Sequence, residues 1–190
     1  MRLACLVLVV PWLLGACGGP QPADWQLSAA QSLGVFQRYY LTGDARADAE
    51  FAFARRELAA TGREDLVARA ELVRCAARTA SLEFDDCPGF VALKPGARAE
   101  ELAYAGYLEG KGPSRETRDD VLSRLVALGV QLRKGEIAPA GIAQAVEIAS
   151  AQGWRRPLLA WLGVQEKRAR DAGDADAAAR IRRRIDLVSG

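Results

Sequence analysis

The residues that could do chemistry in this chain are carboxylates, arginines, tryptophans and cysteines. There is no histidine, which removes the commonest general base, the usual catalytic triad and most transition-metal sites. No Gly-x-Ser-x-Gly turn and no Ser-x-x-Lys pair is present, so serine acyl chemistry has no visible nucleophile. Paired carboxylates are the catalytic option left, as in glycan-cleaving enzymes. Glu83, Asp85 and Asp86 gather beside Cys87. They could hold a cation or act as acid and base on a glycan, while the plainer reading is solvated acids in a turn. Asp44, Asp48, Asp174 and Asp176 have the look of calcium loops but lack the central glycine and closing glutamate such loops use. They fit helix caps and first-turn acids better. Trp154, Arg155, Arg156 and Trp161 form the best candidate binding cluster, because tryptophan and arginine dominate interaction hot spots. The alternative for two tryptophans at helical spacing is core packing. Arg180, Arg182, Arg183 and Arg184 make a basic run that could meet an acidic partner or anionic headgroups.

The cysteines depend on what happens at the N-terminus. Arg2 is the only charge before Asp24, and Leu3 to Ala16 is almost wholly apolar. That run is about 14 residues, short of the ~20 a spanning helix needs. A basic start, a short apolar core and small residues before a break describe a secretory signal peptide. Leu14, Gly15, Ala16 and Cys17 resemble the lipobox of bacterial lipoproteins. The resemblance implies cleavage after residue 16 and lipidation of Cys17, with acyl chains such as palmitate on its sulfur and amino group. Gly18 follows in place of a retention-type aspartate, which by the same resemblance implies the outer membrane, facing the periplasm. Cys5 then leaves with the signal peptide. Cys75 and Cys87 remain as an even pair in an oxidising compartment, where a disulfide is the default. A redox motif would want a two-residue spacer, and a zinc site would want more ligands.

Segments 1–16, 17–24 and 25–190 therefore read as signal peptide, lipidated cysteine with its tether, and one periplasmic domain. Lys+Arg number 26 against 24 Asp+Glu, so no global charge favours nucleic acid. No cofactor is implied.

The elements that must position these residues are helices. Leu33, Phe36 and Tyr40, then Ala47, Phe51, Ala54 and Leu58, recur at spacings of three and four. Glu64 and Asp65 open a third segment whose stripe runs Leu66, Ala70, Val73, Ala77, Ala80 and Phe84. Asp85 to Ala97 is irregular, with Phe90 and Leu93 as apolar contacts and turns at Pro88-Gly89 and Pro95-Gly96. A helix over Ala99 to Leu108 follows. Ser114 then caps one carrying Val121, Leu125, Leu128 and Leu132, and Pro139 opens the next. Gly153 and Gly173 separate the last two, and no stretch alternates as a strand would.

The fold class is all-α, about eight helices in antiparallel pairs, either a repeat-like solenoid or an irregular bundle. Leu33-Gly34 and Leu162-Gly163, with Ala49 and Phe53, resemble tetratricopeptide repeats, which would imply a concave protein-binding face. The expected function is a non-enzymatic scaffold, assembly or pilot factor binding an envelope protein. The alternatives are a carboxylate-dependent peptidoglycan hydrolase using Glu83, Asp85 or Asp86, and a small-ligand binder with Trp154 or Trp161 in a cleft.

Overall fold

The computed structural model describes residues 22–112 and 120–190. The signal segment, the Cys17 anchor and Ser114 lie outside the described residues. Among those residues the chain is wholly helical: α1 (Asp24–Thr42), α2 (Ala47–Ala59), α3 (Glu64–Ala80), α4 (Pro88–Val91), α5 (Ala99–Leu108), α6 (Val121–Arg133), α7 (Pro139–Ala151), α8 (Arg155–Asp171) and α9 (Ala175–Ser189), with a 3-10 turn at Lys94–Gly96.

Helix α3 is the centre. One side packs on the α1–α2 hairpin through Val67, Ala70 and Ala77, which meet Phe36, Tyr40, Leu41 and Phe51. The other side presents Ala68, Leu72, Ala76 and Ala80 to a second core built on Phe90, Leu108, Leu125, Ile142, Trp161 and Leu162. Alanines on both faces let neighbouring backbones approach closely, and each buried Leu or Phe contributes roughly 1.5–3 kcal/mol. Helices α6, α7, α8 and α9 pack in succession, and α8 also folds back onto α1.

Three features depart from the expectations above. Helix α3 stops at Ala80, not at Phe84. Glu83 N–H bonds to the Arg78 carbonyl at 2.9 Å and Leu82 N–H to that of Thr79 at 3.0 Å. This is a Schellman closure with Leu82, at φ +60°, in the left-handed position usually held by glycine. Phe84 is thereby displaced from the apolar stripe and stands partly exposed beneath the Arg133 guanidinium. Helix α6 begins at Val121 with Asp120 as its cap, the carboxylate accepting from Ser123 N–H at 2.8 Å. Finally, Ala49 and Phe53 face outward on α2 while Ala47, Phe51, Ala54 and Leu58 face the core. A Cβ at Gly34 or Gly163 would meet nothing within 4 Å. Of the residues that suggest tetratricopeptide repeats, Leu162 lies in the second core and Leu33 packs on the first, whereas Gly34 and Gly163 mark no close helix approach and Ala49 and Phe53 are exposed.

The irregular stretch is fastened as its cysteines suggest. A Cys75–Cys87 disulfide, Cα–Cα 5.7 Å, ties it to α3, and Phe90 inserts into the core. Gly129 marks a close crossing of α6 over α3. A side chain there would put its Cβ 2.5 Å from the Thr79 carbonyl oxygen on α3, a backbone atom that cannot swing away. Gly129→Ala is expected to lower stability by about 1–3 kcal/mol through overpacking. A urea denaturation midpoint unchanged from wild type would contradict this.

Candidate functional site

The carboxylates beside Cys87 are held by arginines. The last turn of helix α3 carries Arg78, whose guanidinium lies 2.8 Å from Asp85 and 3.5 Å from Glu83. Glu83 also binds Arg156 at 3.1 Å. Asp85 accepts the Cys87 backbone N–H at 3.1 Å, while Asp86 is 94% exposed and 3.8 Å from Arg133. Asp85 and the two sulfurs lie within 4.8 Å of one another, yet those sulfurs are joined to each other and Asp85 is engaged by Arg78. The more deeply buried acids are engaged in the same way. Glu71 accepts from Arg55 at 2.8 Å, Glu101 from Arg69 at 2.7 Å, and Glu166 from Arg170 at 2.5 Å.

The Trp154–Trp161 cluster resolves into structural parts. Trp161 is fully buried, and its indole N–H donates to the Ala80 carbonyl at the end of α3, 3.0 Å away. Arg156 donates to the Tyr40 carbonyl near the end of α1 at 2.9 Å, and its guanidinium lies 4.4 Å from the centre of the Tyr40 ring. Burial raises the ionisation of Tyr40 above the usual range, with the nearby Glu83 carboxylate adding to it. Arg155 donates to the carbonyls of Val188 and Ser189 at 3.0 and 2.6 Å, near the end of α9. Trp154 is half-buried before α8 and touches both cores. Arg156, Trp161 and Arg155 therefore reach three different helix ends, with Trp161 in the core and Arg155 exposed.

The remaining candidates divide. Arg182 lies 3.4 Å from Glu166, whereas Arg183 is exposed without an ion pair among the described residues. Asp174 caps α9, accepting from Ala177 N–H at 2.8 Å. Asp44 accepts from the Arg46 backbone N–H at 2.9 Å and from its guanidinium at 2.6 Å. Asp174 therefore caps as expected, whereas Asp44 braces the turn before α2, whose N-cap position is Arg46.

One surface feature went unread in the sequence. A cleft of about 450 Å³ opens between α7 and α9, over α8, lined by Ala143, Val146, Glu147, Ser150, Gln165 and Arg184 among others. No motif announces it, because it arises where two helices flank a third. Among the described residues no helix is long and apolar enough to cross a membrane. Comparison with protein-family models, with curated proteins and with solved structures finds no match to this chain.

Two measurements check this description. Trp161→Phe keeps most of the apolar contact but leaves the Ala80 carbonyl without its buried donor, at a cost of about 1–3 kcal/mol. Wild-type stability for that variant would show that the bond is dispensable. The hydrogen bond from Arg46 lowers the Asp44 pKa from 3.8 to about 2. The contribution of Asp44 to stability is therefore fully present above pH 3.8 and lost as pH falls through about 2. Carboxyl-detected NMR titration should give the lowered midpoint, and Arg46→Ala should raise it part of the way, the backbone N–H of residue 46 still bonding to Asp44. A midpoint unmoved by that substitution would exclude Arg46 as the cause.

Proposed function

We propose that this chain is a lipid-anchored protein of the bacterial outer membrane, facing the periplasm, whose helical domain binds another envelope protein and catalyses no reaction. The observation that carries the anchor is Leu14-Gly15-Ala16-Cys17 at the end of a short apolar run with a basic start. With the acyl chains the lipobox resemblance implies, at roughly 0.8 kcal/mol per buried methylene, attachment would be effectively permanent. The Cys75–Cys87 disulfide is consistent with an oxidising compartment.

Binding rather than catalysis is favoured by how the polar groups are used. Glu83, Asp85, Glu71, Glu101 and Glu166 all have arginine partners, which leaves the hydrolase alternative without an evident acid and base. Trp161 is enclosed in the core, which removes it from any ligand cleft. Exposed surface without internal partners includes the outer side of the last two helices, where Arg183 and Arg184 face water. The role that fits is a scaffold, assembly or pilot factor held at the membrane.

Cys17→Ala in the full chain should abolish incorporation of labelled palmitate and release the protein from the membrane fraction. Continued membrane attachment of an unlipidated Cys17→Ala protein would refute the anchor.

A further inference from the structure

We propose that the outer face of α1, from Leu27 to Gly34, rests on the bilayer that holds the acylated Cys17. The inference rests on the lipid anchor proposed above and adds the orientation of the domain on the membrane. Leu27, Ala30, Gln31 and Gly34 are exposed, and their spacing of three and four puts them on one side of the helix. The other side carries Ala29, Phe36 and Tyr40 into the first core. No charge occurs between Asp24 and Arg38, whereas the exposed residues of α2, α3, α8 and α9 include Arg56, Arg69, Lys167 and Arg183. Leu27 is 55% exposed, and a Cβ at Gly34 would meet nothing within 4 Å. No described residue packs over this part of the helix.

Chain length selects the occupant. Only the residues Gly18 to Ala23 separate Cys17 from α1. Fully extended, the chain from residue 17 to residue 24 spans at most about 25 Å. A compact domain of this length is about 40 Å across. The start of α1 is therefore kept nearest the lipid, and Leu27 to Gly34 lie within about 15 Å of it along the helix. An uncharged face so placed costs little to bring against headgroups, and Leu27 gains by leaving water. A weak contact suffices, because the anchor holds this face at high local concentration. Helix α7 has a similar face, but Glu147 interrupts it and α7 packs on α8 rather than on α1. With α1 on the bilayer, the second core lies beyond α3 and faces the periplasm, where a partner protein can reach it.

The test uses the acylated full chain in vesicles of phosphatidylethanolamine and phosphatidylglycerol in equal parts. A single introduced cysteine, Ala30→Cys on α1 or Gln144→Cys on the exposed side of α7, carries a nitrobenzoxadiazole dye. Cys17 is acylated and Cys75 is joined to Cys87, so only the new thiol reacts. Dye at residue 30 should shift to the blue and be quenched by nitroxide-labelled lipid, and dye at residue 144 should show neither. Combined Leu27→Glu and Gly34→Glu should abolish the quenching at residue 30, because these acids meet anionic headgroups. Leu27→Gln serves as a milder variant, with circular dichroism checking the fold and palmitate labelling checking the anchor. Equal quenching at residues 30 and 144 of an acylated protein overturns the orientation and leaves the anchor standing, as does quenching indifferent to the acids. A chain that takes up no palmitate and stays out of the membrane fraction overturns both. In cells, a photo-crosslinking residue in place of Ala30 should give lipid adducts. Capture there of an envelope protein, or of a second copy of this chain, overturns lipid as the occupant.

Discussion

Every α-helix ends in carbonyls that its own backbone leaves without donors, and a chain folded into short helices has one such end for each. Here turn N–H groups close many of these ends locally, and distant side chains add donors at the ends of α1, α3, α5 and α9, three of those four from helix α8. From its first two turns Arg156 reaches the Tyr40 carbonyl near the end of α1, Trp161 the Ala80 carbonyl at the end of α3, and Arg155 the last carbonyls of α9. Arg133 on α6 does the same for Leu108, the final residue of α5, at 3.3 Å. A cation at a helix C-terminus is also favoured by the helix dipole. These contacts join two cores that α3, Leu93, Leu122 and Trp154 also touch, and they help hold the α1–α2 hairpin against the α6–α9 array.

The high arginine content acquires a physical meaning in this arrangement. Arginine donates in several directions from one planar group and stays charged, so it can cap a carbonyl and hold a carboxylate together. Arg156 does both, binding the Tyr40 carbonyl and the Glu83 carboxylate. The same use of arginine pairs the buried glutamates: Glu71 with Arg55, Glu101 with Arg69 and Glu166 with Arg170. On the terminal hairpin Arg182 also reaches Glu166, while Arg183 and Arg184 face water.

The sequence announces helices well where spacing and turn residues agree. The segment Ala99–Leu108 and the opening of α7 at Pro139 are as expected, because charged flanks and a proline mark them. The α3 terminus is obscured because Leu82 occupies a position where glycine is the usual sign. The capping roles of Trp161 and Arg156 are not visible either. Tyr40 and Arg156 are 116 residues apart, and no local pattern encodes a pairing at that distance. A tryptophan–arginine cluster resembles a binding hot spot in sequence because burial, which tells an interface from an interior, depends on where α8 folds. The cleft is hidden for the same reason.

If α8 unites the two cores, they should open together. Native-state hydrogen exchange on the full chain measures this directly, residue by residue. The slowest amides of Phe36–Leu41 in α1 and of Leu125–Val130 in α6 should report the same opening free energy, equal to that of global unfolding. Exchange in α1 and α2 at a distinctly lower free energy than in α6 would show two independent units, and would contradict the role given to α8.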